Sequence, residues 1–171
     1  MALSFSKENQ ERIQTLLGRY PTKMAACLPV LHLAQQQFGF LSPEAQELVA
    51  RTLELELTHV HGVATFYSMF NKRPVGRYHV QVCTNVSCLL CGASETMSRL
   101  QRKLGIAPGE TTADGLFTLT EVECLAYCGT APAVQVNDDV YELVGENKAE
   151  ELIDQLRAAA AASGPVGGAG A

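Results

Sequence analysis

Two widely separated pairs of cysteines constrain this chain more than any other feature. Cys83 and Cys88 have four residues between them, Cys124 and Cys128 have three, and the 35 residues 89 to 123 lie between the pairs. Each pair follows a segment that reads as a strand: Tyr78, Val80 and Val82 alternate with His79 and Gln81 before the first, and Phe117 to Val122 precedes the second. Gly92 to Leu104, between them, reads as a helix. A strand, a crossover helix and a second strand of one sheet run parallel, so both strands end on the same side. The segments that begin at Cys83 and Cys124 then lie side by side, and four thiols can converge.

The rest of the composition narrows what such a convergence can serve. A chain of 171 residues, 47% apolar, has material for one ordinary core, or for a compact domain with a helical extension. A formal net charge of -5 leaves no broad basic surface for nucleic acid or anionic lipid. No stretch approaches the roughly 18 to 20 apolar residues of a spanning helix, and Met1 to Gln10 lacks the basic-then-apolar pattern of a secretory signal. A cytoplasmic chain without direct membrane insertion is expected. Six cysteines in such a chain stay reduced, which favours metal ligation or redox chemistry over disulfides.

The expected class is α+β or α/β, an N-terminal helical bundle followed by a mixed β-sheet domain. Residues 1–72 read as helical. Ser6 caps a helix with Ile13, Leu16 and Leu17, broken by Gly18 to Pro21; a second runs from near Ala25 to Phe38, its regular part starting late because of Pro29. Ser42-Pro43-Glu44 opens a third helix, and Thr58 to Phe66 forms a fourth. Residues 73–158 form the sheet domain. After the crossover unit come a strand at Ala133 to Val136, a turn at Asp138-Asp139, a strand at Val140 to Val144, and a helix from Lys148 to about Ala160 capped by Asn147. Thioredoxin-like folds have this order. Residues 159–171, almost all Ala and Gly, are expected to form a disordered tail.

The loops around the cysteines favour an iron–sulfur cluster. Thr84 to Ser87, and Ala126 to Ala131 around Gly129, are small and uncharged, so backbone N–H groups can approach the sulfurs. Zinc is an alternative, although it prefers knuckles with two intervening residues. Cys88-Leu89-Leu90-Cys91 also reads as a dithiol motif, but Leu-Leu replaces the usual small or polar pair. Cys27, among Ala25, Ala26 and Leu28, reads as a buried core residue.

Three segments carry a wider resemblance: Cys83-Thr-Asn-Val-Ser-Cys88, Glu123-Cys-Leu-Ala-Tyr-Cys128 with Thr130-Ala-Pro132, and His61-Gly-Val-Ala-Thr-Phe-Tyr67. Together they resemble the NuoE family, the small thioredoxin-like [2Fe-2S] subunit of NADH-quinone oxidoreductase (respiratory complex I), over roughly residues 6 to 157. The resemblance implies one [2Fe-2S] cluster on Cys83, Cys88, Cys124 and Cys128, with Cys91 outside the ligand set. It also implies a larger partner subunit carrying FMN and the NADH site, contacts with other peripheral-arm subunits, and a place peripheral to the inner membrane through the complex. NAD-linked hydrogenases and formate dehydrogenases use closely similar subunits. The chain departs from the family at Ala126, where glycine is usual.

Other residues read blandly. His59 and His61 on a helix point about 200° apart and do not share a metal easily. Phe66, Tyr67 and Phe70 read as a core-packing stripe, and Glu142, Glu146, Glu150 and Glu151 as solvated surface. No GxGxxG after a strand, P-loop or GxSxG is present, so a nucleotide or flavin site on this chain is not expected. No Lys or Arg occurs from 78 to 98 or from 104 to 147, which points to a low reduction potential for any cluster held there.

Overall fold

The structure, a computed structural model, describes residues 3–163. The chain divides into two compact units at Pro74–Val75.

The first unit is built from four helices, α1 (Lys7–Leu17), α2 (Cys27–Phe38), α3 (Pro43–Leu53) and α4 (Leu57–Phe66). Side-chain caps start two of them: Ser6 Oγ accepts from Asn9 N–H, and Ser42 Oγ from Ala45 N–H with Pro43 in the first turn. The second helix begins at Cys27, so Pro29 sits inside its first turn instead of delaying it; an N-terminal turn has no intrahelical acceptor for a proline to forfeit. Ile13, Val30, Leu31, Leu41, Val49, Leu53, Val60 and Phe70 close the core, and Cys27 belongs to it. Phe70 is buried as a core aromatic should be, whereas Phe66 is 80% exposed.

The second unit is a four-stranded mixed sheet with helices packed on it. Its strands are β1 (Tyr78–Cys83), β2 (Phe117–Val122), β3 (Val134–Val136) and β4 (Asp139–Tyr141), in the order β2-β1-β3-β4. β1 and β2 are parallel, from Tyr78 opposite Phe117 to Cys83 opposite Val122, and the other pairs are antiparallel. The helices α6 (Ala93–Leu104) and α7 (Glu146–Ser163) pack together, and Met97, Leu100, Leu104, Leu152 and Ile153 meet Val80, Val82, Phe117, Leu119, Val134 and Val136. Gly76 leads into β1 because no side chain fits there: a Cβ would lie 2.8 Å from the Phe117 backbone.

Several local expectations are corrected. The hairpin turn is Asn137-Asp138, one residue earlier than read, because Asn137 takes the left-handed backbone (φ 55°) that such turns require. The last strand ends at Tyr141, not Val144. Asn147 lies inside α7, which starts at Glu146, and the helix continues through Ala158 to Ala162. Alanine is the best helix former, so this run extends a helix already anchored on the core, and the expected tail boundary at 159 is wrong. The remainder of that tail, 164–171, lies outside the described residues.

Candidate metal centre

Parallel pairing delivers both cysteine pairs to one end of the sheet. Cys83 is the last residue of β1, and its partner Val122 is the last of β2, two residues before Cys124. The ladder runs slightly past the strands: Thr84 N–H donates to Val122 O at 2.9 Å, and Cys83 N–H to Ala133 O at 3.1 Å. The chain then turns into a short helix, α5 (Val86–Leu90), capped by the Asn85 side chain. This segment is a helix where the sequence suggested a loop through Ser87. Five residues are too few for periodicity to reveal, and Asn85 was its one legible signal. Cys88, in the middle of α5, is its buried residue. Cys128 opens a single 3-10 turn, Cys128–Thr130.

The thiols form a connected array. Cys83 interacts with the thiols of both Cys88 and Cys124, and Cys88 feels the charge of Cys83 and of Cys128. Cys83 and Cys88 are each 2% exposed, whereas Cys124 and Cys128 reach the surface. The small wall Ala93, Ala131 and Ala133, with Val122 and Leu125 against it, surrounds the buried pair. The sequence gives no sign of this wall, because one alanine at the start of α6 and two beside Pro132 form no motif.

Backbone donors converge on the sulfurs. Burial raises the Cys83 pKa, but N–H groups of Asn85 and Leu125 and the thiols of Cys88 and Cys124 outweigh it, and the net direction is down. Burial also raises Cys88, and the neighbouring Cys83 and Cys128 add to the rise against one N–H from Ala133. Ala126 N–H donates to Cys124 Sγ at 3.2 Å. Ala126 adopts φ 63°, in the left-handed region, which gives a physical reason for glycine at this position in the family.

Such a donor set suits a thiolate-ligated group of high negative charge. Among the described residues, no three His, Cys, Asp or Glu side chains gather as a single ion would need. Cys91 ends α5 and is exposed. His61 Nδ1 lies 2.9 Å from Gln46 Oε1 in the first unit, a hydrogen bond within the fold.

Residues 13–157 match the family described as thioredoxin-like [2Fe-2S] ferredoxin. The E subunit of NADH-quinone oxidoreductase from Rickettsia typhi is 48% identical over 155 residues, covering 89% of this chain and 91% of that protein. The corresponding E 2 subunit from Rhizobium meliloti is 43% identical, covering 88% and 89%. Among solved structures, the NAD+-reducing [NiFe]-hydrogenase in its air-oxidized state matches 78% of this chain and 23% of a longer one, with a TM-score of 0.68 and 23% identity, a likeness of fold. On the sequence match along nearly its whole described length, and with a thioredoxin-like sheet beneath its cysteines, the chain belongs to the thioredoxin-like [2Fe-2S] ferredoxin family.

Proposed function

We propose that Cys83, Cys88, Cys124 and Cys128 hold one [2Fe-2S] cluster, and that the chain is the electron-transfer subunit of the NADH dehydrogenase module of NADH-quinone oxidoreductase. The observation that carries this reading is the linked array of four thiols at the ends of two parallel strands, supplied with N–H donors from Asn85, Leu125, Ala126 and Ala133. When bound, such a cluster takes up and releases one electron at a time. The N–H groups stabilise thiolate charge, and the alanine wall keeps water from the buried pair.

Hydride donors deliver electrons in pairs, so a flavin must divide them. The sequence has no recognisable motif for flavin or nucleotide, which supports FMN and NADH sites on a partner subunit and a chain that is not catalytic on its own. Contacts with other peripheral-arm subunits belong to the same reading. Among the described residues no helix is long and apolar enough to cross a membrane. A cytoplasmic position, peripheral to the inner membrane through the complex, belongs to the same reading.

An equivalent place in an NAD-linked hydrogenase or formate dehydrogenase is the second reading. The hydrogenase likeness favours it at the level of fold, while 43–48% identity to subunits named for NADH-quinone oxidoreductase favours the first. Purification of the native assembly through a tag on this chain decides between them. NADH oxidation coupled to quinone reduction supports the first, and oxidation of hydrogen or formate in its place rejects it.

A further inference from the structure

We propose that the outward face of α4 is a self-association surface, on which two copies of this chain pair antiparallel about a two-fold axis. The inference goes beyond the electron-transfer reading and does not depend on it.

The first unit leaves this face uncovered. Val60 and Ala64 turn into the core, and Gly62 and Phe66 lie on the opposite side of the same helix. Phe66 is 80% exposed, and Leu57 and Met69 at the two ends of the face are each 43% exposed. The Phe66 ring is braced outward: it stands edge-on to Tyr67 with 5.0 Å between ring centroids, and Tyr67 in turn meets the buried Phe70 at 6.4 Å. Large apolar groups gathered on a water-facing helix mark an interaction surface.

Gly62 points to the kind of contact. A glycine in the middle of a helix weakens it relative to alanine. The fold does not call for one here, because a Cβ at Gly62 would meet no atom of the described residues within 4 Å. Bare backbone at this point instead gives a bulky side chain from outside room to approach. Phe66, one turn away, is such a side chain. An antiparallel two-fold that seats Phe66 of each copy against Gly62 of the other uses both features twice.

Charge makes the second copy the fitting occupant. From 57 to 71 the sequence has no Asp, Glu, Lys or Arg, while exposed Glu56 precedes that stretch and exposed Lys72 and Arg73 follow it. Glu54, also on the acidic side, is taken by Lys23 at 2.8 Å. Glu56 lies six residues before Gly62, and Lys72 six after Phe66. The register that seats Phe66 on Gly62 therefore turns the acidic end of each copy towards the basic end of the other, with a neutral face between them. A parallel pair would set like charges together. The ten residues of α4 span only about 15 Å, less than a standard interface covers on each side, so the dimer is weak and reversible.

Sedimentation velocity of the purified full-length chain, from about 1 µM to about 1 mM, reads this association. A reversible monomer–dimer equilibrium is expected, weakened at least tenfold in Phe66→Glu. Gly62→Ala separates contact from folding: it should raise the melting temperature of the helical unit while weakening the dimer. Glu56→Lys, and Lys72→Glu with Arg73→Glu, should each weaken the dimer, and all three substitutions together should restore it. A wild-type chain that stays monomeric throughout would overturn the proposal and leave the face to another protein. So would a dimer indifferent to Phe66→Glu, or a triple variant no tighter than its parents.

Discussion

Replacing Ala126 with glycine should stabilise the second unit, reversing the usual sign of that substitution. Ala126 holds φ 63° in the loop between Cys124 and Cys128, and its N–H donates to Cys124 Sγ. The left-handed conformation costs an L-residue about 1–2 kcal/mol. Glycine removes that cost but adds roughly 0.4–1 kcal/mol of unfolded-chain entropy. The net gain is about 0.8 kcal/mol, a roughly fourfold slowing of exchange for amides that open only with the whole unit. Native-state hydrogen exchange of Val80 and Leu119, fully buried on β1 and β2, reads this directly and excludes the separate helical unit. Ala126→Val, β-branched at the same φ, should speed that exchange. If Ala126→Gly exchanged faster, by the ~0.5–1 kcal/mol glycine costs in regular structure, the conformational argument would be refuted.

Phe70→Ala should destabilise the helical unit by about 3–5 kcal/mol because the ring is fully buried, whereas Phe66→Ala should stay within ~0.5 kcal/mol; chemical denaturation of both variants checks the contrast. Burial lowers the pKa of His79, whose Nε2 lies 2.9 Å from Thr120 Oγ1, so the unfolded chain accepts a proton more readily than the folded one. The stability it supports is complete above about pH 6.5 and declines as pH falls from there through the lower folded pKa, and His79→Gln should flatten that acid slope in denaturation midpoints measured from about pH 7 to pH 5. Cys91→Ser should keep the iron content and visible spectrum of the wild type, because Cys91 lies at the exposed end of α5 outside the ligand set. Loss of colour in that variant would return Cys91 to the site.

The elements that sequence revealed are those whose signals repeat over several residues. Tyr78-His79-Val80-Gln81-Val82 alternates cleanly, Ser6 and Ser42-Pro43 are caps with a mechanism, and strand, helix, strand implied the parallel pairing that the register shows. The misses are short or set by context. α5 spans one turn and a half and reads as loop. The hairpin slid by one residue because Asn137, not Asp138-Asp139, supplies the left-handed position. The alanine run reads as tail by composition but continues a helix packed on Val80 and Phe117 through Leu152 and Ile153. Phe66 and Phe70 have the same chemistry in sequence, and the surface around them separates their fates. Within the site, the spacing of the cysteines was visible and their inequality was not. That Cys83 and Cys88 are buried while Cys124 and Cys128 face outward follows from a wall of Ala93, Ala131 and Ala133 drawn from distant segments.

Iron, sulfide and zinc analysis of the purified chain, combined with electron paramagnetic resonance of the dithionite-reduced protein, tests the central claim most directly. Two irons and two sulfides per chain with a rhombic S = 1/2 signal are expected from one [2Fe-2S] cluster, lost in Cys83→Ser and retained in Cys91→Ser. A colourless chain with one zinc, or a cluster that survives Cys83→Ser unchanged, would contradict the account.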